Sequence, residues 1–379
     1  MTPEQRAAER MAAVDPVLEQ ITTGREALGL RDGELTHAGP PIEPARMAQP
    51  MRRALAGAAV LEGWAADLEH GLGLLDAGEL RVGSNHDHGA VAPMAGVISP
   101  SMPVAVVSGA VTNLCEGVGR ALRFGAWGDD VAARLRWLAT DLAPAIEQAL
   151  PDDGLRLAPL IAGATACGDD LHQRNVAGTA LLGLALAGLP APCDAFLAAT
   201  PQFFLNLAMA SAKAATDAAR EVEGAAVVVA IARNGVDVGI QVAGTGRRWF
   251  TAPAPIPVGH YVEGYSVADA CPDLGDSAIV ETYGLGGYLA ATSPQVLAYL
   301  EAPPDTASEA RRRATVAVAT HPIVPGAPLA LDARAIVDHD LAPRIFTGIA
   351  HRDGVPGQIG AGITEAPLAA FRDAVAQLP

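Results

Sequence analysis

The sequence predicts an α+β fold, and three observations predict it. Stretches with helical periodicity are interleaved with short β-branched runs in no regular βαβ rhythm. Neither G-x-G-x-x-G after a strand nor G-x-x-x-x-G-K-[ST] occurs, so a classical nucleotide-binding doubly wound fold is not supported. Half of the 379 residues are hydrophobic and 18% are charged, which suits two or three cored domains and excludes a disordered chain. No internal repeat is visible.

Taken in order, residues 3–28 read as a helix, with Pro3 early and apolar residues near helical spacing. Residues 29–50, rich in Gly, Pro and polar side chains, read as a linker or extended arm. Met51, Leu55, Ala59, Leu61 and Trp64 restore helical spacing over 51–76, and Gly83 breaks it. Val104–Val107 is a buried strand by its β-branched run. Residues 129–150 read as helical, ended by Pro151-Asp152-Asp153-Gly154, and 155–193 form a second Ala/Leu-rich region closed by Gly188-Leu189-Pro190.

The spacing predicts a helix over 201–222, with Phe204, Leu207, Ala208 and Ser211 on one face and Gly224 as C-cap. Ala226–Arg233 and Val236–Val242 flank Asn234-Gly235, the strongest short-range hairpin signal in the chain. Residues 251–259 are Pro-rich and 303–310 read as a polar loop. Arg344–Ile349 reads as a strand leading into a glycine-rich tail, and a last helix is expected over 365–377. Approximate units are a helical region with linker (1–82), a mixed unit with a helical part (83–200) and a second mixed unit (201–379).

Composition narrows the function. Aromatic residues make up 4% and the formal net charge is −16, so neither base stacking nor bulk attraction to a polyanion is supported. A small anion remains open, because a local pocket can be basic on an acidic protein. The four cysteines, Cys115, Cys167, Cys193 and Cys271, form no C-x-x-C pair and read as reduced thiols. The N-terminal run is charged and lacks a signal peptide's apolar core, and the apolar run Ala225–Ala232 is too short to span a bilayer. A cytoplasmic protein with no membrane or nucleic-acid partner is expected.

Four polar islands stand out. In Asn85-His86-Asp87-His88 the histidines are two apart, so on a strand they would share a face and serve one metal or one substrate. H-x-H is a weak motif, and a solvated loop outweighs metal at roughly two to one. In Asp169-Asp170-Leu171-His172-Gln173-Arg174-Asn175, helical spacing would pair Asp169 with His172 and His172 with Asn175. That would orient a general base, with Arg174 as a carboxylate clamp. A helix N-terminus explains the two aspartates equally well.

The third island joins Asn206 and Lys213, seven apart on one helix face, to Arg233-Asn234 at the hairpin tip and to Arg248. Snorkelling is the commoner fate for such a lysine, turn chemistry for Asn234, and a surface salt bridge for Arg248. The fourth places Asp276 and Glu281 as helix caps or as groups that polarise an amide N–H. Near the end, His351 and Gly357-Gln358 open a glycine-rich loop over 357–362 whose N–H groups would form an anion nest. No G-x-S-x-G elbow occurs, so acyl-enzyme chemistry has no particular support.

The strings Asn85–Pro103, Asn113–Ala126, Gly168–Asn175, Phe203–Ala214, Ala232–Gly235, Arg248–Pro255, Pro272–Ser277 and Thr347–Gly362 occur in the order of one family. From about residue 15 to 375 the chain resembles the YlbE-like family. The resemblance implies two mixed α/β domains with a small helical domain. It also implies a place as one subunit of an oxamate carbamoyltransferase of anaerobic allantoin breakdown, a branch of purine nitrogen metabolism. That enzyme interconverts oxalurate plus phosphate with oxamate plus carbamoyl phosphate, beside an FdrA-like subunit and a third small one. It supplies no residue roles.

Side-chain chemistry inside the matched strings therefore sets the expectations. His88 and His172 are the candidate acid/base groups, oriented by Asp169 or Asp276. Asn85, His86, Arg174, Asn175, Asn206, Lys213, Arg233, Asn234, Arg248, His351, Gly357 and Gln358 are the candidate substrate-binding residues. A homo-oligomer is expected; the residues fix no cofactor and leave a divalent metal open. The alternatives are a divalent-metal amide hydrolase using His86, His88 and His172, and a non-catalytic scaffold subunit.

Overall fold

The computed structural model describes residues 1–293 and 306–378. Helix α1 (Pro3–Ala12) starts from a capping box in which the Thr2 hydroxyl accepts from Gln5 N and the Gln5 side chain accepts from Thr2 N. It ends far short of residue 28. Strand β1 (Val17–Thr23) follows, then the short helix α2 (Gly24–Leu28). Apolar residues near helical spacing hid this strand, which lies between β4 (Pro103–Val107) and β6 (Leu155–Arg156); β5 (Ala110–Asn113) completes the sheet in the order β5-β4-β1-β6. The extended arm contributes β2 (Glu34–His37), paired in parallel with β3 (Arg81–Ser84). Gly83 thus sits inside a strand, and the His88 ring occupies the space where its side chain would be.

Helices α3 (Gln49–Leu61), α4 (Leu68–Asp76), α5 (Asp129–Trp137), α6 (Ala143–Ala149), α7 (Ala158–Ala166), α8 (Val176–Ala185) and α9 (Ala191–Ala198) follow, with α3 packed on α4, α7 on α8, and α6 on β1 of the first sheet. At the centre lies α10 (Phe203–Ala218), buried almost all round by Phe203, Phe204, Leu207, Met209 and Ala212. It ends at Ala218, so Gly224 lies beyond its C-cap, Ala219. The larger core cluster runs from Ala7 and Met11 through Leu55, Val107 and Leu142 to α10.

The Asn234-Gly235 turn joins β7 (Val228–Asn234) to β8 (Asp237–Val242), with Gly235 at φ +81°. With β9 (Phe250–Pro253) and β11 (Leu274–Gly275) they form a sheet in the order β11-β7-β8-β9. A bulge between Val228 and Ala230 lets β7 serve two cores: Val229 joins the larger cluster, while Val228 and Ile231 join a second one under the C-terminal helix Leu368–Val375. The remaining sheets are β10 (Val258–Tyr261), β15 (Gln358–Glu365) and β14 (Arg344–Ala350), in that order, and the pair β12 (Ala317–Thr320) and β13 (Pro328–Leu331). The fold is therefore α+β, in several small mixed sheets. The expected polar loop at 303–310 is a helix from Thr306 to Val316, and its first three residues lie outside the described ones. Among the described residues, no single helix is long and apolar enough to cross a membrane.

Candidate active site

Loops at residues 93–94, 115–124 and 172–173 and at Ser277 converge with helix α10 and strands β14 and β15 on a cleft of about 550 Å³, its open mouth included. Its lining includes Arg123, His172, Gln202, Asn206, Ser277 and Gln358, with Met94, Cys115, Phe124 and Leu205 as apolar walls. Size and mixed polarity match a small-ligand site.

His172 carries the clearest chemistry. The segment 167–175 is a loop between α7 and α8, not a helix. Asp170 shapes it, its Oδ1 accepting from His172 N at 3.0 Å and Arg174 N at 2.8 Å, while Leu171 takes a positive φ of 66°. The His172 ring is thereby turned onto Glu281 of α11 (Ile279–Thr282), with Nδ1 2.7 and 2.8 Å from the two carboxylate oxygens. Glu281 Oε1 also accepts from Gly287 N (3.0 Å) and Phe346 N (3.3 Å). The carboxylate takes Nδ1–H as its donor, so in the neutral ring Nε2 carries the lone pair. A side chain at Gly286 would strike Glu281 Oε1 at 2.2 Å, so the glycine is what lets the carboxylate reach the ring.

The recognition groups come from elsewhere. Glu116 accepts from Leu122 N (2.6 Å) and Arg123 N (2.9 Å) and pins the segment after β5. Arg123 lies over the Phe124 ring and donates through Nη2 to Gly117 O at 2.7 Å; its Nη1 is buried without a partner. On α10, Asn206 Nδ2 donates to Asn113 O (2.7 Å) and Asn113 Oδ1 (2.8 Å). Two acceptors on Nδ2 settle the amide's orientation and leave Oδ1 buried and unpartnered. Asn175 Nδ2 bridges His172 O and Gln202 Oε1, and Gln202 Nε2 donates to Gln173 O.

The structure thus brings His172, Asn206 and Gln358 of the expected residues to the cleft, and Asn175 to the loop behind it. Several expectations are corrected. Asn85–His88 is a 3-10 turn, so His86 and His88 point apart. His86 is buried edge-on to Trp249, its Nε2 3.5 Å from Asp276 Oδ1 and both ring nitrogens unpartnered, and burial lowers its pKa well below 6.5. His88 is exposed, beside Gly83. Neither meets His172, so the proposed metal set does not converge. Among the described residues no group of three or more His, Cys, Asp or Glu is arranged to hold a metal ion.

Asp169 does not orient His172. It accepts from Gly178 N at 2.8 Å and caps α8, and its pKa is raised by burial against those N–H groups. Arg174 Nε lies 3.1 Å from Asp169 Oδ1, away from the cleft lining. Asp276 clamps three segments, accepting from Gly39 N (2.7 Å), Asn85 Nδ2 (2.8 Å) and Ala92 N (3.0 Å), and burial pushes its pKa up to about 6. Lys213 neither snorkels nor meets an anion in the cleft; it is buried on Asp217 at 2.7 Å.

Arg233 is fully buried, with its five N–H groups shared among Asp273, Gly275 O, Ser277 and Thr347, which leaves none for a substrate. Asn234 Oδ1 accepts from Val236 N and Asp237 N, a side-chain turn. Arg248 lies over Phe250 and donates to Gln377. His351 Nδ1 accepts from Asp353 N. The segment 358–362 is strand, leaving Gly357 (φ +92°) as the turn and no nest over 357–362.

Arg123, Cys115, Gln202 and the pairing of Glu281 with His172 are the cleft features that residue spacing did not reveal. The strings Asn113–Ala126 and Glu281-Thr282-Tyr283-Gly284-Leu285-Gly286-Gly287 contained three of them, but nothing in one sequence links residues 109 apart.

Comparison with known proteins adds to this geometry. Residues 80–277 match the family model described as oxamate carbamoyltransferase subunit AllG. The chain is 42% identical to a protein of that name from Escherichia coli (strain K12), over 92% of this chain and 90% of the relative. It is 36% identical to the protein YahG of the same strain, described as uncharacterized, over 98% of this chain and 84% of the relative. A crystal structure of a conserved protein of unknown function from Enterococcus faecalis V583 superposes with a TM-score of 0.94 at 32% identity, covering 99% of this chain and 96% of that one.

Proposed function

The chain belongs to the oxamate carbamoyltransferase subunit AllG family, and from that premise we propose that it acts within a carbamoyltransferase and holds the amide acid beside His172. The reaction is oxalurate plus hydrogen phosphate to oxamate plus carbamoyl phosphate. A phosphate oxygen bonds to the carbamoyl carbon, the C–N bond to the oxamate nitrogen breaks, and the proton given up by hydrogen phosphate ends on that nitrogen. Charge and atoms balance without an oxidant or reductant. An FdrA-like subunit and a third small subunit are the proposed partners.

The observation that carries this reading is the His172–Glu281 pair facing a cleft that also holds an unpartnered guanidinium edge. With Nδ1 committed to Glu281, His172 Nε2 is the atom that takes the proton given up by hydrogen phosphate and hands it to the leaving nitrogen, and in the reverse direction carries it from oxamate back to the phosphate. The amide-hydrolase alternative loses its ligand set, because His86, His88 and His172 lie apart.

Oxalurate phosphorolysis by the assembled subunits is the test. His172→Gln is expected to lower turnover by about 10²–10⁴-fold, whereas His88→Ala, on the surface, leaves it within about 2-fold. Equal rates for His172→Gln and the parent would refute the assignment. An intact complex with no turnover on oxalurate would refute the substrate.

A further inference from the structure

Donors and acceptors are unevenly divided in this cleft. Among its described lining residues Arg123, which also borders a neighbouring cavity, supplies the guanidinium; its Nη2 donates to Gly117 O, and its Nη1 is buried without a partner. Asn206 Oδ1 is a buried acceptor to which nothing donates. Carboxylates stand close by: Glu281 behind His172, Asp170 in the same loop, and Glu116 beneath the Arg123 backbone. One buried, unpartnered cationic edge flanked by carboxylates suits a single negative charge. A dianion would put its second charge against Glu281 or Glu116, with no further cation among the lining residues to meet it. The orphaned acceptor asks for an N–H; an oxygen placed there would leave two acceptors face to face.

We propose that the cleft is a half-site. It selects a small monocarboxylate that bears an NH2 group, seating the carboxylate on Arg123 Nη1 and the NH2 on Asn206 Oδ1. It rejects phosphoryl dianions. The phosphoryl group of the reaction is then gripped by groups outside the cleft, with its attacking oxygen at the mouth near Gln358, which is exposed there. This rests on the function proposed above and divides its two substrates between two places.

Four ligands of similar size separate the contributions. Oxamate has one charge and an NH2, pyruvate one charge and a methyl, oxalate two charges and no donor, and inorganic phosphate is the dianion itself. Binding to the full chain is measured by calorimetry, alone and in the assembled enzyme, with carbamoyl phosphate as a fifth competitor. Oxamate is expected to bind tightest, pyruvate about 10-fold more weakly, and oxalate and phosphate about 100-fold more weakly. Neither phosphate nor carbamoyl phosphate is expected to displace oxamate. Arg123→Gln lowers oxamate affinity about 10–100-fold, and Arg123→Lys recovers part of the loss.

The ligand series needs no variant, so it stands even where Arg123→Gln misfolds. Displacement of oxamate by phosphate or carbamoyl phosphate at matched concentration would overturn the half-site and leave the proposed function standing. Pyruvate binding as tightly as oxamate would overturn the role of Asn206. Oxamate binding to neither the chain nor the complex would overturn both readings together.

Discussion

Glu281→Gln isolates the orientation of His172 from its presence. The carboxylate accepts from His172 Nδ1 (2.7 and 2.8 Å), Gly287 N (3.0 Å) and Phe346 N (3.3 Å). Glutamine has the same shape, and its Oε1 can keep the two backbone donors. Its Nε2 then takes the place of Oε2, 2.8 Å from His172 Nδ1, and this clash of two donors outweighs the remaining contact of Nδ1 with Oε1, which already serves two backbone N–H groups. The ring answers by moving its proton to Nε2, which removes the lone pair that faces the cleft. One charged hydrogen bond becomes a neutral one, so stability should fall by about 1–2 kcal/mol. Turnover should fall far more, by about 10²–10⁴-fold, the usual worth of general acid–base catalysis.

Glu281 does not line the cleft, so KM for oxalurate should stay within about 2-fold. Initial rates of phosphorolysis by the assembled enzyme between pH 5.5 and 9, with urea unfolding of the same sample, supply all three readouts. A variant that keeps turnover within about 3-fold, with the parent's pH profile, would refute the proton-transfer role. Loss confined to stability would make the pair a structural tie.

Two further outcomes concern the scaffold. Asp273→Asn should destabilise the fold by about 3–5 kcal/mol, measured by urea denaturation, because it leaves the fully buried Arg233 guanidinium without its countercharge; a loss below about 1 kcal/mol would mean that Gly275 O, Ser277 and Thr347 suffice. His37 governs a pH response: burial pushes its pKa from 6.5 down to about 4, although its Nδ1 donates to Ala38 O. The unfolded chain therefore binds the proton first, and the stability from neutral His37 is full above 6.5 and is lost as pH falls towards 4, about 3 kcal/mol in all. Across that window His37→Asn should remove up to one proton from the slope of unfolding free energy against pH, whatever its effect at pH 8, and an unchanged slope would contradict the assignment.

The legible parts of the chain were those whose signal is local. Asn234-Gly235 needs only a positive φ at Gly235 to close a hairpin, and Val104–Val107 needs only a β-branched run. The long helix around Asn206 and Lys213 announced itself by composition over four turns. Val17–Thr23 failed because a seven-residue strand with mixed burial resembles helix spacing when it follows a real helix. Asp169 was half legible: it does serve a helix N-terminus, but the helix starts at Val176 and the loop before it carries His172.

The site was less legible than the fold for a reason that chemistry makes plain. Charged residues draw the eye in a sequence because they look reactive, yet burial forces them to find partners. Arg233 and Lys213 did so completely, and Asp276 spends both carboxylate oxygens on Gly39, Asn85 and Ala92. Among the described residues that line the cleft, the buried side-chain atoms left unspent are Arg123 Nη1 and Asn206 Oδ1, whose availability depends on partners more than 90 residues away or on a folded loop. A cluster saturated by its own protein holds the walls, and the groups left unsatisfied in an open cleft are where a ligand's free energy of binding arises. By that criterion Arg123 and Asn206 rank above every charged residue that sequence spacing favoured, and substitutions there should change ligand choice before they change stability.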